Sequence, residues 1–182
     1  MSDPGAMLAI PARITTSELA RAIDRSVDDV RTALRAREQP DSPDDILGAE
    51  LAITVAKSLG VDATVEPRDL ALECLYEYET RGEIGSDVGG RAGAIVEGVV
   101  SNLDELDQMI ESVAEHWSVA RMPVIDRNAI RIGLYELRSD AMTPTAVVVS
   151  EAVRLAQTYS TEKSAAFVNG VLATLAKTIR ES

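Results

Sequence analysis

Cysteine, histidine and aromatic residues are scarce in this chain of 182 residues. The single cysteine, Cys74, excludes an internal disulfide and favours a reducing compartment. The single histidine, His116, cannot provide the cluster of ligands that predicts a metal site, nor a recognisable Cys-His catalytic pair. Aromatic residues make up only 3% of the chain, so the core must consist of aliphatic side chains, which favours helices.

Long apolar runs are also missing. No run approaches the roughly 18 residues that would span a bilayer. The apolar residues 7–10 are too few for a signal peptide, and no basic residue precedes them. We therefore expect a cytoplasmic protein that does not bind membranes.

The motifs of common enzymes are absent as well. The glycines in residues 89–93 follow no predicted strand and precede no Lys-Ser/Thr pair, so they do not make a phosphate-binding loop. Most carboxylates lie on predicted helix faces or at helix starts, where contact with solvent explains them. We therefore expect a binding protein rather than an enzyme, with no metal and no cofactor.

An excess of acidic residues limits what the chain can bind. Residues 1–67 carry 7 basic and 12 acidic side chains, a net charge of −5, and residues 68–182 carry 11 and 18, a net charge of −7. Both parts are therefore acidic, and the whole chain has a net charge of −12. A broad basic surface is excluded, so any contact with nucleic acid must be local or shared with a partner.

Three segments differ in their residue patterns. Residues 1–13 contain proline and glycine without apolar periodicity and are interpreted as a flexible tail. Residues 14–66 are predicted to form a small three-helix domain, and residues 67–182 a larger helical bundle. The predicted fold class is all-α.

Capping patterns place the helices of the small domain. Thr15 precedes Glu18 by three residues, and Ser26 precedes Asp29 by three, so each pair can form a capping box. A third helix is predicted to begin at residues 42–45, SPDD, with serine as N-cap and proline in the first turn. Residues 61–65 are expected to be short and extended.

The central helix of the bundle is predicted over residues 122–138, because this stretch is apolar on most sides. Helices are also predicted over residues 67–82, 91–100, 103–117, from Pro144 to about residue 159, and over residues 162–179. Cys74, Trp117 and Tyr135 are assigned to the core. Close helix packing is the simplest reason for Gly170 inside the last helix.

Several blocks of the second part form a recognisable series. They read ALECLY (71–76), VIDRNAIRIGLYEL (124–137), SEAVRLA (150–156) and SAAFVNGVL (164–172). In their order and spacing, over about residues 68–182, these blocks resemble the NusB family of transcription antitermination factors. The resemblance implies the NusB all-α bundle, which binds boxA-type RNA of ribosomal RNA transcripts together with ribosomal protein NusE. Other Nus factors and RNA polymerase would be indirect partners.

A second interpretation belongs to another class of protein. A NusB-like bundle with this acidic balance could have abandoned RNA and serve as a scaffold that holds only protein partners. Binding of boxA-type RNA with and without NusE distinguishes the two.

The first domain looks like a different module. Residues 14–20 (ITTSELA), 27–30 (VDDV) and 59–61 (LGV) are similar to the small N-terminal subdomain of bacterial translation initiation factor two. Three short helices would also fit a helix-turn-helix that binds DNA. The net charge of −5 opposes DNA binding, because phosphate contacts dominate nonspecific affinity. A protein-docking module is the favoured interpretation.

Candidate RNA contacts follow from the NusB resemblance and its departures. The family's arginine-rich arm is replaced by residues 64–67, TVEP, and only Arg68 remains, either as a phosphate contact or as a solvated arginine. Arg127 and Arg131 are one helical turn apart and form either a small basic patch or ion pairs with the surplus carboxylates.

Two further candidates lie near the start of the last helix. A cation such as Lys163 is unfavourable at a helix N-terminus, so an anionic partner would explain it, as would chance surface variation. Phe167 can stack on a base or pack in the core. The predicted RNA-binding residues are thus Arg68, Arg127, Arg131, Lys163 and Phe167.

Tyr76 and Asp126 are predicted to bind the protein partner, because the resemblance places them at positions that face NusE. For Asp126 the alternative is an acid that compensates the dipole of its helix.

Overall fold

A computed structural model describes residues 7–84, 89–114 and 117–180. The chain divides into two compact units, Met1–Asp69 and Leu70–Ser182, and each has its own buried hydrophobic cluster. His116 and residues 85–88 lie outside the described residues. Among the helices that are described, we find none whose length and hydropathy would let it span a bilayer.

The described part of the first unit combines three helices with four short strands. They are β1 (Leu8–Ile10), β2 (Arg13–Thr15), α1 (Thr16–Ala22), α2 (Val27–Arg35), β3 (Ile46–Gly48), α3 (Ala49–Ser58) and β4 (Ala63–Val65). β1 pairs with β4 in parallel, and β2 pairs with β3 antiparallel. The helices direct their apolar faces inward, and the buried cluster includes Ile10, Leu19, Val30, Leu34 and Val55.

Both predicted capping boxes are present. The Thr15 side chain accepts a hydrogen bond from the backbone N–H of Glu18, and the Glu18 carboxylate accepts one from the backbone N–H of Thr15. Ser26 and Asp29 make the same reciprocal pair at the start of α2. These bonds satisfy N–H groups that have no partner inside the helix, so the capping patterns placed both helix starts correctly.

Three predictions for this unit are wrong. Residues 8–13 do not belong to a tail, because β1 pairs with β4 and β2 begins at Arg13. The third helix begins at Ala49, because Ile46–Gly48 is held as a strand against β2. Residues 42–45 instead form a turn, in which the Asp45 carboxylate accepts from the backbone N–H of Ser42. The chain is mostly helical, but the strands mean that its first unit is not all-α.

Six helices form the described part of the bundle. They are α4 (Pro67–Arg81), which begins in the last residues of the first unit, α5 (Gly90–Ser101), α6 (Leu103–Val113), α7 (Val124–Ser139), α8 (Thr145–Tyr159) and α9 (Ser164–Arg180). A 3-10 turn, Val119–Arg121, precedes α7.

The central position of α7 is confirmed. Its apolar side chains Ile130, Ile132 and Leu134 are fully buried, and α8 and α9 pack against it. Gly133 permits this close packing, since a Cβ there would lie 2.8 Å from a methyl carbon of Leu172. The helix thus carries its polar residues into an environment that the surrounding helices largely shield from water.

The core predictions are correct only in part. Cys74 is buried, and Tyr135 is partly buried against the cluster. The prediction that Trp117 lies in a helix and in the core is wrong, because α6 ends at Val113 and the indole is 53% exposed. Close packing does not explain Gly170, because it is exposed and a Cβ there would meet open space.

Candidate nucleic-acid interface

Arg127 and Arg131 lie on the same face of α7, but both belong to an internal ion-pair cluster. Arg127 donates from Nε and Nη2 to Oε2 of Glu79 in α4, the first bond being 2.7 Å long. Its Nη1 donates to the carbonyl oxygen of Met122 at 2.9 Å. Arg131 donates from Nε and Nη2 to the two oxygens of Asp107 in α6, each at 2.7 Å, and from Nη1 to Glu79.

These contacts decide between the two interpretations of the arginine pair. The side chains of Arg127 and Arg131 are only 15% and 6% exposed. Each guanidinium is occupied by carboxylates, so the predicted basic patch is not available for phosphate. The alternative, pairing with acidic residues, describes both side chains. The cluster joins α4, α6 and α7 inside the bundle.

The charges of the cluster stabilise one another. Burial would raise the pKa of Glu79, but the hydrogen bonds and charges of Arg127 and Arg131 outweigh it and lower that pKa below its ordinary value. Burial would lower the pKa of Arg131, whereas Asp107 and Glu79 raise it. At neutral pH two cations therefore face two anions, and the cluster adds no net charge to the surface.

The position of Arg68 agrees with neither of the two interpretations from the sequence. It lies at the start of α4, in the first unit, and is only 7% exposed. Its Nη1 is 3.2 Å from Oε1 of Glu66. Since the guanidinium is buried and paired, it is neither a solvated arginine nor an exposed contact for phosphate.

Three of the four remaining predicted residues, Asp126, Lys163 and Phe167, meet at a pocket at the N-terminal end of α9. The pocket has a volume of about 280 Å³. It is lined by Trp117, Met122, Pro123, Asp126, Thr161, Lys163, Ser164 and Phe167. The structure thus brings together Asp126, Lys163 and Phe167, which come from the first turn of α7 and the beginning of α9.

Two aromatic rings lie on the walls of this pocket. The ring centroids of Trp117 and Phe167 are 6.4 Å apart, with an angle of 52° between the ring planes. Phe167 also packs against the hydrophobic cluster, in agreement with the core interpretation, while it lines the pocket. Trp117 is the more exposed of the two, because the chain leaves α6 four residues before it.

Asp126 is buried at the inner side of the pocket, with 3% exposure. Its Oδ2 accepts a hydrogen bond from Oγ of Ser164 at 2.8 Å. Its Oδ1 has no hydrogen-bond partner within residues 7–84, 89–114 and 117–180. A buried carboxylate oxygen without a partner is uncommon in folded proteins, so this atom requires an explanation.

Two exposed cations lie beside the pocket. Lys163 is in the turn before α9, and Arg121 ends the 3-10 turn directly before Met122. Neither has an ion pair within the described part of the chain. Sequence reasoning missed Arg121, although residues 117–125 contain no acid that could neutralise it. It also missed Trp117 as a surface residue.

The predicted partner residues do not share one surface feature. Tyr76 is 44% exposed on α4 and is not among the residues that line the pocket, whereas Asp126 is buried in it. No group of three His, Cys, Asp or Glu side chains in the described ranges could hold a metal ion.

Sequence comparisons identify proteins similar to the second part of the chain. Residues 65–177 match the family model described as the NusB family. Transcription antitermination protein NusB of Leifsonia xyli subsp. xyli is 39% identical over 125 residues, which cover 69% of this chain and 78% of the relative. Transcription antitermination protein NusB of Acidothermus cellulolyticus is 43% identical over 123 residues, which cover 61% of this chain and 85% of the relative.

Solved structures match a similar share of the chain. A crystal form of T. maritima NusB has a TM-score of 0.56 and 31% identity, and the match covers 61% of this chain and 88% of that one. A crystal structure of the antitermination factors NusB and NusE in complex with double-stranded RNA has a TM-score of 0.53 and 30% identity. That match covers 62% of this chain and 94% of the other.

Proposed function

Since this chain belongs to the NusB family, we propose that it acts as a transcription antitermination factor that binds boxA-type RNA of ribosomal RNA transcripts together with ribosomal protein NusE. NusB and NusE occur with RNA in a solved structure similar to this bundle. Other Nus factors and RNA polymerase are indirect partners, and the site of action is the cytoplasm. The protein works by binding, not as an enzyme.

The pocket at the start of α9 is the observation that carries this proposal. It combines two aromatic rings with the cation Lys163, and Arg121 directly precedes its lining residue Met122; neither cation has an ion pair in the described part of the chain. Single-stranded nucleic acid is bound by such combinations, because bases stack on aromatic rings while cations contact the backbone. Lys163 and Phe167 keep the RNA-binding role predicted from the sequence, and Arg121 joins them.

Tyr76 remains our candidate for the contact with NusE. An exposed tyrosine offers apolar area and a hydroxyl group, a combination that is frequent at protein interfaces. Because the partner supplies part of the RNA-binding surface, the acidic bundle alone should bind weakly.

The number of available cations predicts the salt dependence. Arg68, Arg127 and Arg131 are buried or paired with acids, so the predicted contact Lys163 and the neighbouring Arg121 are the cations counted at the pocket. For single-stranded RNA each phosphate contact adds about −0.7 to the slope of log K against log salt concentration, which gives about −1.4 for two cations. The slope is obtained by titrating labelled boxA-type RNA at several salt concentrations and following fluorescence anisotropy, with and without NusE.

A pair of matched variants sharpens this test. Lys163→Gln should weaken binding and reduce the slope to about −0.7, since one phosphate contact is lost. Lys177→Gln removes the same charge from the last turn of α9, roughly 20 Å from Lys163 along the helix axis, and should leave both the affinity and the slope unchanged. Equal effects of the two substitutions, or a much steeper slope for the free protein, would contradict RNA binding at this pocket.

The scaffold without RNA remains a second candidate, and one observation favours it. Three of the five residues predicted to bind RNA are arginines that the structure places in buried or paired positions. Binding to NusE without any affinity for boxA-type RNA, alone or in the complex, would establish this alternative.

For residues 14–66 we infer a protein-docking module similar to the N-terminal subdomain of translation initiation factor two. The acidic charge of this part and its own hydrophobic cluster support a separate unit that does not bind DNA. Binding of the full chain to duplex DNA that Arg21→Glu abolishes would overturn this inference, because Arg21 is an exposed cation of α1.

A further inference from the structure

The pocket beside α9 has features that go beyond a general affinity for RNA. We propose that it holds one base of the bound RNA, and that Asp126 makes it selective for a base that carries an amino group. This inference rests on the proposed RNA-binding function. It adds Trp117 as a stacking residue and Asp126 as the residue that determines base preference.

An exposed indole next to a cavity provides a surface for stacking. Trp117 leaves about half of its area in water, and Phe167 presents its ring 6.4 Å away at a steep angle. A flat base can stack on one ring and meet the other at its edge, an arrangement that aromatic groups favour. The volume of about 280 Å³ leaves room for one base together with part of its ribose.

The buried polar group of the pocket, the Asp126 carboxylate, accepts hydrogen bonds, whereas Lys163, which also lines the pocket, is exposed and donates them. Oδ2 of Asp126 already accepts from Ser164, and Oδ1 is without a partner among the described residues. Adenine, cytosine and guanine carry amino groups that can donate to a carboxylate. Uracil has no amino group, and its N–H lies between two carbonyl oxygens that repel a carboxylate. The pocket should therefore discriminate against uracil.

The surrounding charges disfavour a cationic side chain of a protein partner as the occupant of this pocket. A lysine or arginine from a protein partner could also pair with a buried acid between aromatic rings. Lys163 lines the same pocket, however, and Arg121 directly precedes its lining residue Met122. Two exposed cations repel a positively charged side chain but attract the phosphates on either side of a bound base.

Trp117 makes this site directly measurable, because it is the single tryptophan in the chain. We suggest titrating the full-length protein with oligocytidine and oligouridine of equal length, with and without NusE, while recording tryptophan fluorescence and the anisotropy of labelled RNA. Cytosine and uracil are pyrimidines of equal size that differ at the amino group. Both should quench Trp117, and oligocytidine should bind about tenfold more tightly.

Variants assign the preference to one side chain. Asp126→Asn should remove most of the tenfold difference, since an amide can turn its N–H groups towards the carbonyl groups of uracil. Asp104→Asn changes an exposed acid of α6 and should leave the preference intact. If Asp126→Asn does not fold, the comparison of the two oligonucleotides on the unaltered protein still decides the question.

The outcomes separate this inference from the function on which it rests. RNA binding by anisotropy without quenching of Trp117, or without a preference for cytosine, overturns the base pocket and leaves the proposed function standing. No RNA binding in any arm overturns both. In a third outcome, NusE alone changes the fluorescence of Trp117, and oligocytidine no longer quenches it when NusE is bound. This result assigns the pocket to a protein side chain and overturns the inference.

Discussion

The ion-pair cluster predicts a large loss of stability when Glu79 is replaced by Gln. Glu79 accepts hydrogen bonds from Arg127 and Arg131, and its side chain is only 15% exposed. The substitution keeps the size of the side chain but removes its charge, and it leaves Arg127 with no carboxylate partner among the described residues. Arg131 retains Asp107.

The expected magnitude follows from the burial of the cluster. Removing one partner of a fully buried ion pair costs about 3–5 kcal/mol, because an uncompensated charge remains in the interior. Here the residual exposure of Glu79 and Arg127 lets water compensate part of that charge, so we expect a loss of about 2–3 kcal/mol. The free energy of unfolding can be measured by urea titration followed by circular dichroism.

The chain offers a matched control on the same helix. Glu77 is paired with Arg81, whose side chain is 73% exposed. Such surface pairs contribute about 0.3–0.5 kcal/mol, so Glu77→Gln should change stability little. A similar loss for both variants would refute the conclusion that the Glu79 cluster is internal.

The pH dependence provides a second criterion. Because the pKa of Glu79 is lowered in the folded state, its stabilising contribution is fully present above the ordinary value of 4.5. It is lost as the pH falls below that value and passes through the folded-state pKa. The difference between the wild type and Glu79→Gln should therefore shrink under acidic conditions and stay constant from pH 6 to 8; a difference independent of pH would contradict the assignment.

Two further predictions concern local packing and capping. Gly98→Ala should lower the free energy of unfolding by about 1–3 kcal/mol, since the added Cβ would overlap the ring of Tyr135. Gly170→Ala should instead raise the free energy of unfolding by about 1 kcal/mol, because its added Cβ meets open space and alanine favours the helix. Unfolding titrations of both variants check this, and a loss at Gly170 would show that its surface is covered. Thr15→Ala should cost about 1 kcal/mol by removing the N-cap of α1. Hydrogen bonds from the backbone N–H and the hydroxyl of Thr15 lower the pKa of Glu18. Because Thr15→Ala removes the hydroxyl, it should raise that pKa part of the way back towards its ordinary value, as a titration followed by NMR would detect.

Local patterns were sufficient to predict most of the bundle. The helix over residues 122–138 was recognised because apolar side chains on nearly all sides require burial on all sides. The capping boxes of α1 and α2 were recognised because each depends on residues only three apart. Neither conclusion needed knowledge of distant residues.

The errors share a dependence on distant contacts. β1 is three residues long and exists through its pairing with β4, more than 50 residues later, so no period of two can reveal it. Arg127 and Arg131 have the spacing of a surface patch, but their partners come from α4 and α6. Spacing along one helix fixes which side chains are neighbours and leaves open which other helix covers them.

The distribution of charge, more than its total, determines what the bundle can bind. With a net charge of −7 over residues 68–182, a polyanion gains nothing from the average field of the protein. The cations Arg127 and Arg131 are neutralised internally and hold helices together. Arg121 and Lys163 have no ion pair within the described residues, and they lie next to the pocket that contains the exposed indole. Around that pocket a favourable potential extends over about one Debye length, roughly 8 Å at physiological salt. RNA bound by this protein must then be contacted over a few nucleotides, and the rest of the affinity has to come from the partner.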